Sequence, residues 1–97
     1  MIEIIEKNGF TDWFNALTKK EQMKVAARLE RIKNHEHFGD AKNIGNELSE
    51  LRWKNGWRIY FIAGKKNNIV LVIGGHKNDQ KKDIQKARLF IRGYTKI

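Results

Sequence analysis

Five consecutive apolar residues, Ile69-Val70-Leu71-Val72-Ile73, constrain the fold of this chain more than any other feature. A run of that length and β-branched content, bounded by Gly64-Lys65-Lys66-Asn67-Asn68 and by Gly74-Gly75, predicts the most buried strand of a sheet. It ends abruptly in His76-Lys77 and a strongly basic segment. Two further strands are predicted before it, over Leu48–Lys54 and Trp57–Ala63.

Lys54-Asn55-Gly56 joins those two strands. A two-residue Asn-Gly turn would mix charged and apolar side chains on both faces. A three-residue loop with Gly56 left-handed pairs Arg52 with Arg58, Glu50 with Tyr60, Leu51 with Ile59 and Trp53 with Trp57. One face is then Glu50, Arg52, Arg58 and Tyr60; the other is Leu51, Trp53, Trp57, Ile59 and Phe61. A one-residue slip exchanges the faces, so the cleaner segregation decides the register.

The remaining segments read as helices around one short strand. Ile2–Glu6 alternates loosely and predicts a first strand. Thr11 is a candidate cap for a short helix through Leu17, burying Phe10, Phe14 and Leu17. Thr18-Lys19-Lys20-Glu21 fits a capping box that opens a helix to about Asn34, with Val25, Leu29 and Ile32 as its stripe and Met23 and Ala26 beside it. Residues 35–46 look like a loop. Asn78 or Asp79 can cap a last helix with Ile84, Ala87, Ile91 and Tyr94 on its apolar side. The expected fold is α+β, β-α-α-β-β-β-α, with helices on one face of a small antiparallel-dominated sheet.

At 97 residues, with 40% hydrophobic, the chain suits a single domain spanning 1–97. Its apolar runs fall far short of the roughly 20 residues that cross a bilayer. MIEIIEKNGF has acids early and no signal-peptide layout, so a cytoplasmic protein is expected. Without cysteine it has neither disulfides nor thiolate metal sites. Residues 1–50 hold eight Lys/Arg and nine Asp/Glu; residues 51–97 hold twelve and two, so the net charge of +9 sits in the second half. Such a half-chain suits a polyanion or an acidic protein partner.

The polar sheet face carries the chemistry. Opposed arginines repel unless a carboxylate such as Glu50 pairs with one or an anion lies between them. Guanidinium forks match phosphate oxygens, and Tyr60 beside them offers a stacking surface suited to single-stranded RNA. The end of the last strand lies beside the start of the strand before it, so His76 comes out near Arg58. A histidine there is either a strand-end residue or a proton carrier working near neutral pH. Metal-independent RNA cleavage needs such parts: cations for the phosphate, a base for the 2′-hydroxyl and an acid for the leaving oxygen. Arg58, His76, Arg52, Tyr60 and Glu50 are the catalytic candidates, with Lys54, Lys77, Lys81 and Lys82 as RNA contacts and no cofactor. His35, Glu36, His37 and Asp40 have a loose metal-ligand spacing, but a solvated loop with Phe38 tucked inward suits them better.

The pattern Leu51-Arg52, Gly56-Trp57-Arg58-Ile59-Tyr60-Phe61, Ile73-Gly74-Gly75-His76-Lys77, Gln80 and Asp83-Ile84-Gln85-Lys86-Ala87 resembles the RelE/ParE toxin superfamily, closest to its HigB-like, phage-derived addiction module killer branch. The resemblance implies a toxin of a type II toxin–antitoxin pair. Typical members cleave mRNA on the ribosome and are neutralised by a small helix-turn-helix antitoxin. The family's basic strand residues fall on Arg52 and Arg58, and Tyr60 follows in an R-x-Y pattern. Its Gly-Gly-x-Lys strand end falls on Gly74, Gly75, His76 and Lys77; in this branch the third position is often acidic. The same fold includes ParE-like proteins that poison DNA gyrase by protein contact, and a relative that only binds its antitoxin is a further alternative.

Overall fold

In the computed structural model, which describes residues 1–93, the apolar run lies within the longest strand, β5 (Asn68–His76). Around it, in chain order, stand β1 (Glu3–Glu6), α1 (Asn8–Asn15), α2 (Lys19–His35), β2 (Ala41–Asn43), β3 (Leu48–Arg52) and β4 (Trp57–Ala63). A 3₁₀ turn (Lys77–Asp79) follows β5 and leads directly into α3 (Gln80–Gly93). The sheet order is β1-β5-β4-β3-β2. β1 runs parallel to β5 and the other pairs are antiparallel.

The α+β class is as expected, but the helices occupy both faces of the sheet. Ile69 and Leu71 join Phe10, Val25, Leu29, Ile32, Leu51 and Ile59 in one core, under α1 and α2. Val70 and Val72 join Leu48, Tyr60, Ile62 and Ala87 in a second core, under α3. A strand covered on both sides has no side left for polar residues, which is why Ile69–Ile73 shows no alternation.

The β3–β4 register is the one expected: Glu50 pairs with Tyr60, Leu51 with Ile59 and Arg52 with Arg58. Gly56 takes φ +105°, a left-handed conformation that L side chains rarely adopt, and its N–H donates to Trp53 O at 3.0 Å. The capping box of α2 is complete: Glu21 N–H donates to Thr18 Oγ1 (3.2 Å) and Thr18 N–H to Glu21 Oε1 (2.8 Å).

Four local expectations fail for physical reasons. α1 begins at Asn8, so Thr11 lies inside it, its hydroxyl directed back to the Lys7 and Asn8 carbonyls. The earlier start places the buried Phe10 on the helix that crosses β5. Met23 is exposed, and Arg28 fills the buried stripe of α2 instead. The 35–46 loop contains β2, a fully exposed edge strand held by backbone pairing to β3, so no apolar alternation marks it. The backbone N–H of Asn78 bonds to the His76 ring, and it is His76 that caps the turn before α3. Tyr94 lies outside the described residues. Among the described residues no helix is long and apolar enough to cross a membrane.

Candidate functional site at the hairpin end

The β3–β4 hairpin tip and the end of β5 are tied together. On the sheet, Arg58 lies opposite Gly75 and Trp57 opposite His76. Lys77 N–H donates to Gly56 O at 2.7 Å. The His76 ring spans the same junction, with Nε2 3.2 Å from Asn55 O and Nδ1 accepting from Asn78 N–H at 3.3 Å. These partners fit the neutral ring with its proton on Nε2. The ring covers Gly56, where a Cβ would overlap it. Exposed Lys54 and Lys77 flank this corner, and exposed Lys81 and Lys82 begin α3.

The two opposed arginines are treated differently. Arg52 donates to Asp40 Oδ1 from Nε (3.2 Å) and Nη2 (3.0 Å), and that carboxylate raises its pKa. Asp40, rather than the candidate Glu50, therefore relieves the like-charge contact. Arg58 is half-buried and directs Nη1 to Trp57 O (3.0 Å) and Trp53 O (3.3 Å). Among the described residues its buried Nε has no hydrogen-bond partner and no carboxylate forms an ion pair with it. Also among the described residues, His35, Glu36, His37 and Asp40 do not gather as a set of three or more potential metal ligands.

Glu50 and Tyr60 sit at the expected strand positions but not on an open face. α3 covers both. Glu50 is 2% exposed and accepts from Gln80 Nε2 at 2.8 Å. Tyr60 is fully buried, and among the described residues its hydroxyl makes no well-formed hydrogen bond, although the Glu50 carboxylate lies close enough to act on it. Burial first, then the nearby Glu50 and Asp83 carboxylates, push the phenol pKa well up. Tyr60 therefore offers no stacking surface. The cause lies in the chain path. The 3₁₀ turn leaves no length for α3 to swing away, and Ala87 with Ile84 needs the apolar surface of Leu48, Ile62, Val70 and Val72.

The Gly74-Gly75 pair admits neighbours from the chain itself. A Cβ on Gly74 would overlap the Trp13 indole, and one on Gly75 would overlap the Asp83 carboxylate. Burial, then Asp79, raises the Asp83 pKa, while Lys86 and Lys82 oppose the shift. Arg28 escaped the sequence reading altogether. Its position in the Val25–Leu29–Ile32 stripe was the available signal, since a charged residue there must be satisfied internally.

Residues 12–92 match the family of phage-derived Gp49-like proteins. An uncharacterised protein of Haemophilus influenzae is 37% identical over 91 residues, covering 91% of each chain. Among solved structures, the intact RelBE toxin–antitoxin complex of E. coli contains a chain that superposes with a TM-score of 0.66. That match has 9% identity and covers 78% of this chain and 96% of that one. The isolated E. coli RelE toxin matches with a TM-score of 0.65 and 8% identity, covering 89% and 98%. At such identities the structural likeness speaks for the fold alone. The chain belongs to the phage-derived Gp49-like family and carries the fold of the RelE toxin superfamily.

Proposed function

We propose that this protein is the toxin of a type II toxin–antitoxin pair and that it arrests growth by cleaving mRNA on the ribosome. The observation that carries this reading is Arg58, a guanidinium held by two hairpin carbonyls and, among the described residues, in ion-pair contact with no carboxylate. Such a group is preorganised to receive phosphate. Lys54 and Lys77 flank it, and Lys81 and Lys82 extend the cationic surface along α3. Arg52, already shared with Asp40, positions the neighbouring phosphate.

In the proposed reaction the ribose 2′-hydroxyl loses its proton and the 2′-oxygen bonds to phosphorus. The bond from phosphorus to the 5′-oxygen breaks, and that oxygen takes up a proton. Arg58 offsets the added negative charge on the phosphorus oxygens. Burial favours one of the candidate proton carriers. Glu50 and Tyr60 lie beneath α3, whereas His76 is partly open at the corner. His76 therefore carries one of the two protons. Taking it on Nδ1 releases Asn78 N–H, so the turn before α3 shifts with the reaction. No resident cofactor takes part.

The RelBE complex supports a protein antitoxin as partner, and the family resemblance makes it a small helix-turn-helix protein. A ParE-like gyrase inhibitor is the second reading. What favours it is the cover of α3, which removes the one aromatic side chain from the basic face. Brief induction followed by primer extension on cellular mRNA separates the two. Cuts within translated regions are expected. Growth arrest with intact mRNA and inhibited gyrase would replace the nuclease with the second reading.

A further inference from the structure

We infer that Arg28, on α2 and outside the basic face, is a positioning residue that sets the geometry of Arg58 and Arg52. This rests on the nuclease reading above. Arg28 is 8% exposed, and among the described residues no carboxylate forms an ion pair with it. Burial lowers its pKa, with Arg31 adding to that and Asp40 opposing it. A buried cation without a counter-ion is costly unless its donors are all used. Arg28 uses four of its five on backbone carbonyls. Nε and Nη2 donate to Phe38 O at 3.1 and 2.8 Å, Nη2 donates to Asp40 O at 2.9 Å, and Nη1 donates to Arg52 O.

Those carbonyls belong to the two segments that build the basic site. Asp40 supplies the carboxylate of Arg52, and Arg52 N–H in turn donates to Asp40 O at 2.9 Å. The same guanidinium fork thus fixes both halves of the Asp40–Arg52 pair from behind. Its carbon also lies 4.3 Å from the ring centroid of Trp53, within cation–π range. Trp53 is the residue whose carbonyl receives Arg58 Nη1. One buried arginine therefore reaches both half-buried basic positions, Arg52 through Asp40 and its own carbonyl and Arg58 through Trp53. A lysine cannot reproduce this, since it lacks the planar fork that bridges three carbonyls. Gly39 confirms how closely the loop is drawn in: a Cβ there would lie 3.3 Å from Arg28 Nη2.

The test uses the full-length chain and a double-mutant cycle on cleavage of a defined mRNA by translating ribosomes. Arg28→Lys keeps the charge but loses the fork. It is expected to lower kcat by about 100-fold, the scale of an ångström misplacement of a catalytic group, with KM nearly unchanged. In a background carrying both Arg58→Ala and Arg52→Ala the same change should cost less than about 3-fold, because Arg28 acts through those two arginines. Equal losses in both backgrounds would overturn the inference and reduce Arg28 to a fold-holding residue. Trp53→Leu, which removes the stacking partner and leaves the carbonyls, should show the same non-additivity, and serves where Arg28→Lys does not fold. A second readout is independent of catalysis. The side-chain Nε–H resonances of Arg52 and Arg58, followed by ¹⁵N NMR, should shift and broaden in the folded Arg28→Lys or Trp53→Leu protein. Unchanged resonances would refute positioning even if the protein cleaves no RNA. Shifted resonances in an inactive wild type would uphold positioning while the nuclease reading falls.

Discussion

Arg58 and Tyr60 stand two residues apart on one strand face, yet one reaches the open corner and the other does not. Alternation places both side chains on the same side of β4, and the sequence shows that much. It does not show where the helix that covers the face stops, because that depends on the three-residue turn after His76. The buried Tyr60 hydroxyl, without a well-formed hydrogen bond among the described residues, leads to a specific expectation. Tyr60→Phe should stabilise the protein by about 1–3 kcal/mol, the usual cost of an unsatisfied buried polar group. Denaturant melts measure this, and a loss of stability would mean that the hydroxyl is bonded. His76→Gln is the sharper test of chemistry, since a glutamine can still donate to Asn55 O and accept from Asn78 N–H. It should retain the fold and antitoxin binding while cleavage falls roughly 100-fold or more, the range for a lost proton carrier. Wild-type cleavage by this variant would leave His76 as a clasp between the hairpin and the turn.

Among the elements, local signals are legible in the sequence where one residue type can do the job. The Thr18–Glu21 box, the Gly56 loop and the hairpin register all followed from side-chain chemistry or face segregation. Thr18→Ala removes one half of the box and should cost about 1 kcal/mol, measurable in the same melts. Elements held mainly by backbone, such as β2, and helices placed by tertiary packing, such as α3, were not legible in full. The seat of α3 carries a pH signature. Asp83 is buried against Gly75 with its pKa raised, so the folded chain binds this proton more tightly than the unfolded chain. Its contribution to stability is therefore present at acid pH and lost as pH rises through the raised value. Relative to wild type, Asp83→Asn should gain stability from about pH 3 to pH 7 as the unfolded carboxyl ionises. Melting temperatures across that range provide the check, and a relative loss with rising pH would contradict it.

For the whole molecule, the lopsided charge is the property most directly visible in the sequence, and the structure gives it a place. Arg58, Lys54 and Lys77 meet at one corner, and Lys81 and Lys82 continue it along α3. If these five basic side chains contact phosphates of single-stranded RNA, binding should fall on the order of 100-fold between 50 and 200 mM salt through counterion release. Binding that is flat across that range would mark an apolar protein interface, as a gyrase inhibitor requires. The central claim is that an unneutralised, carbonyl-held Arg58 works on a phosphate during mRNA cleavage. Cleavage of a defined mRNA on translating ribosomes by wild type and Arg58→Ala tests it most directly, with circular dichroism and antitoxin pull-down confirming that both proteins are folded. The wild type should cut within the reading frame, and Arg58→Ala should do so about 100-fold more slowly, as for the loss of a preorganised charge at the reacting group. Equal rates for the two proteins, or intact mRNA with the wild type, would contradict the claim.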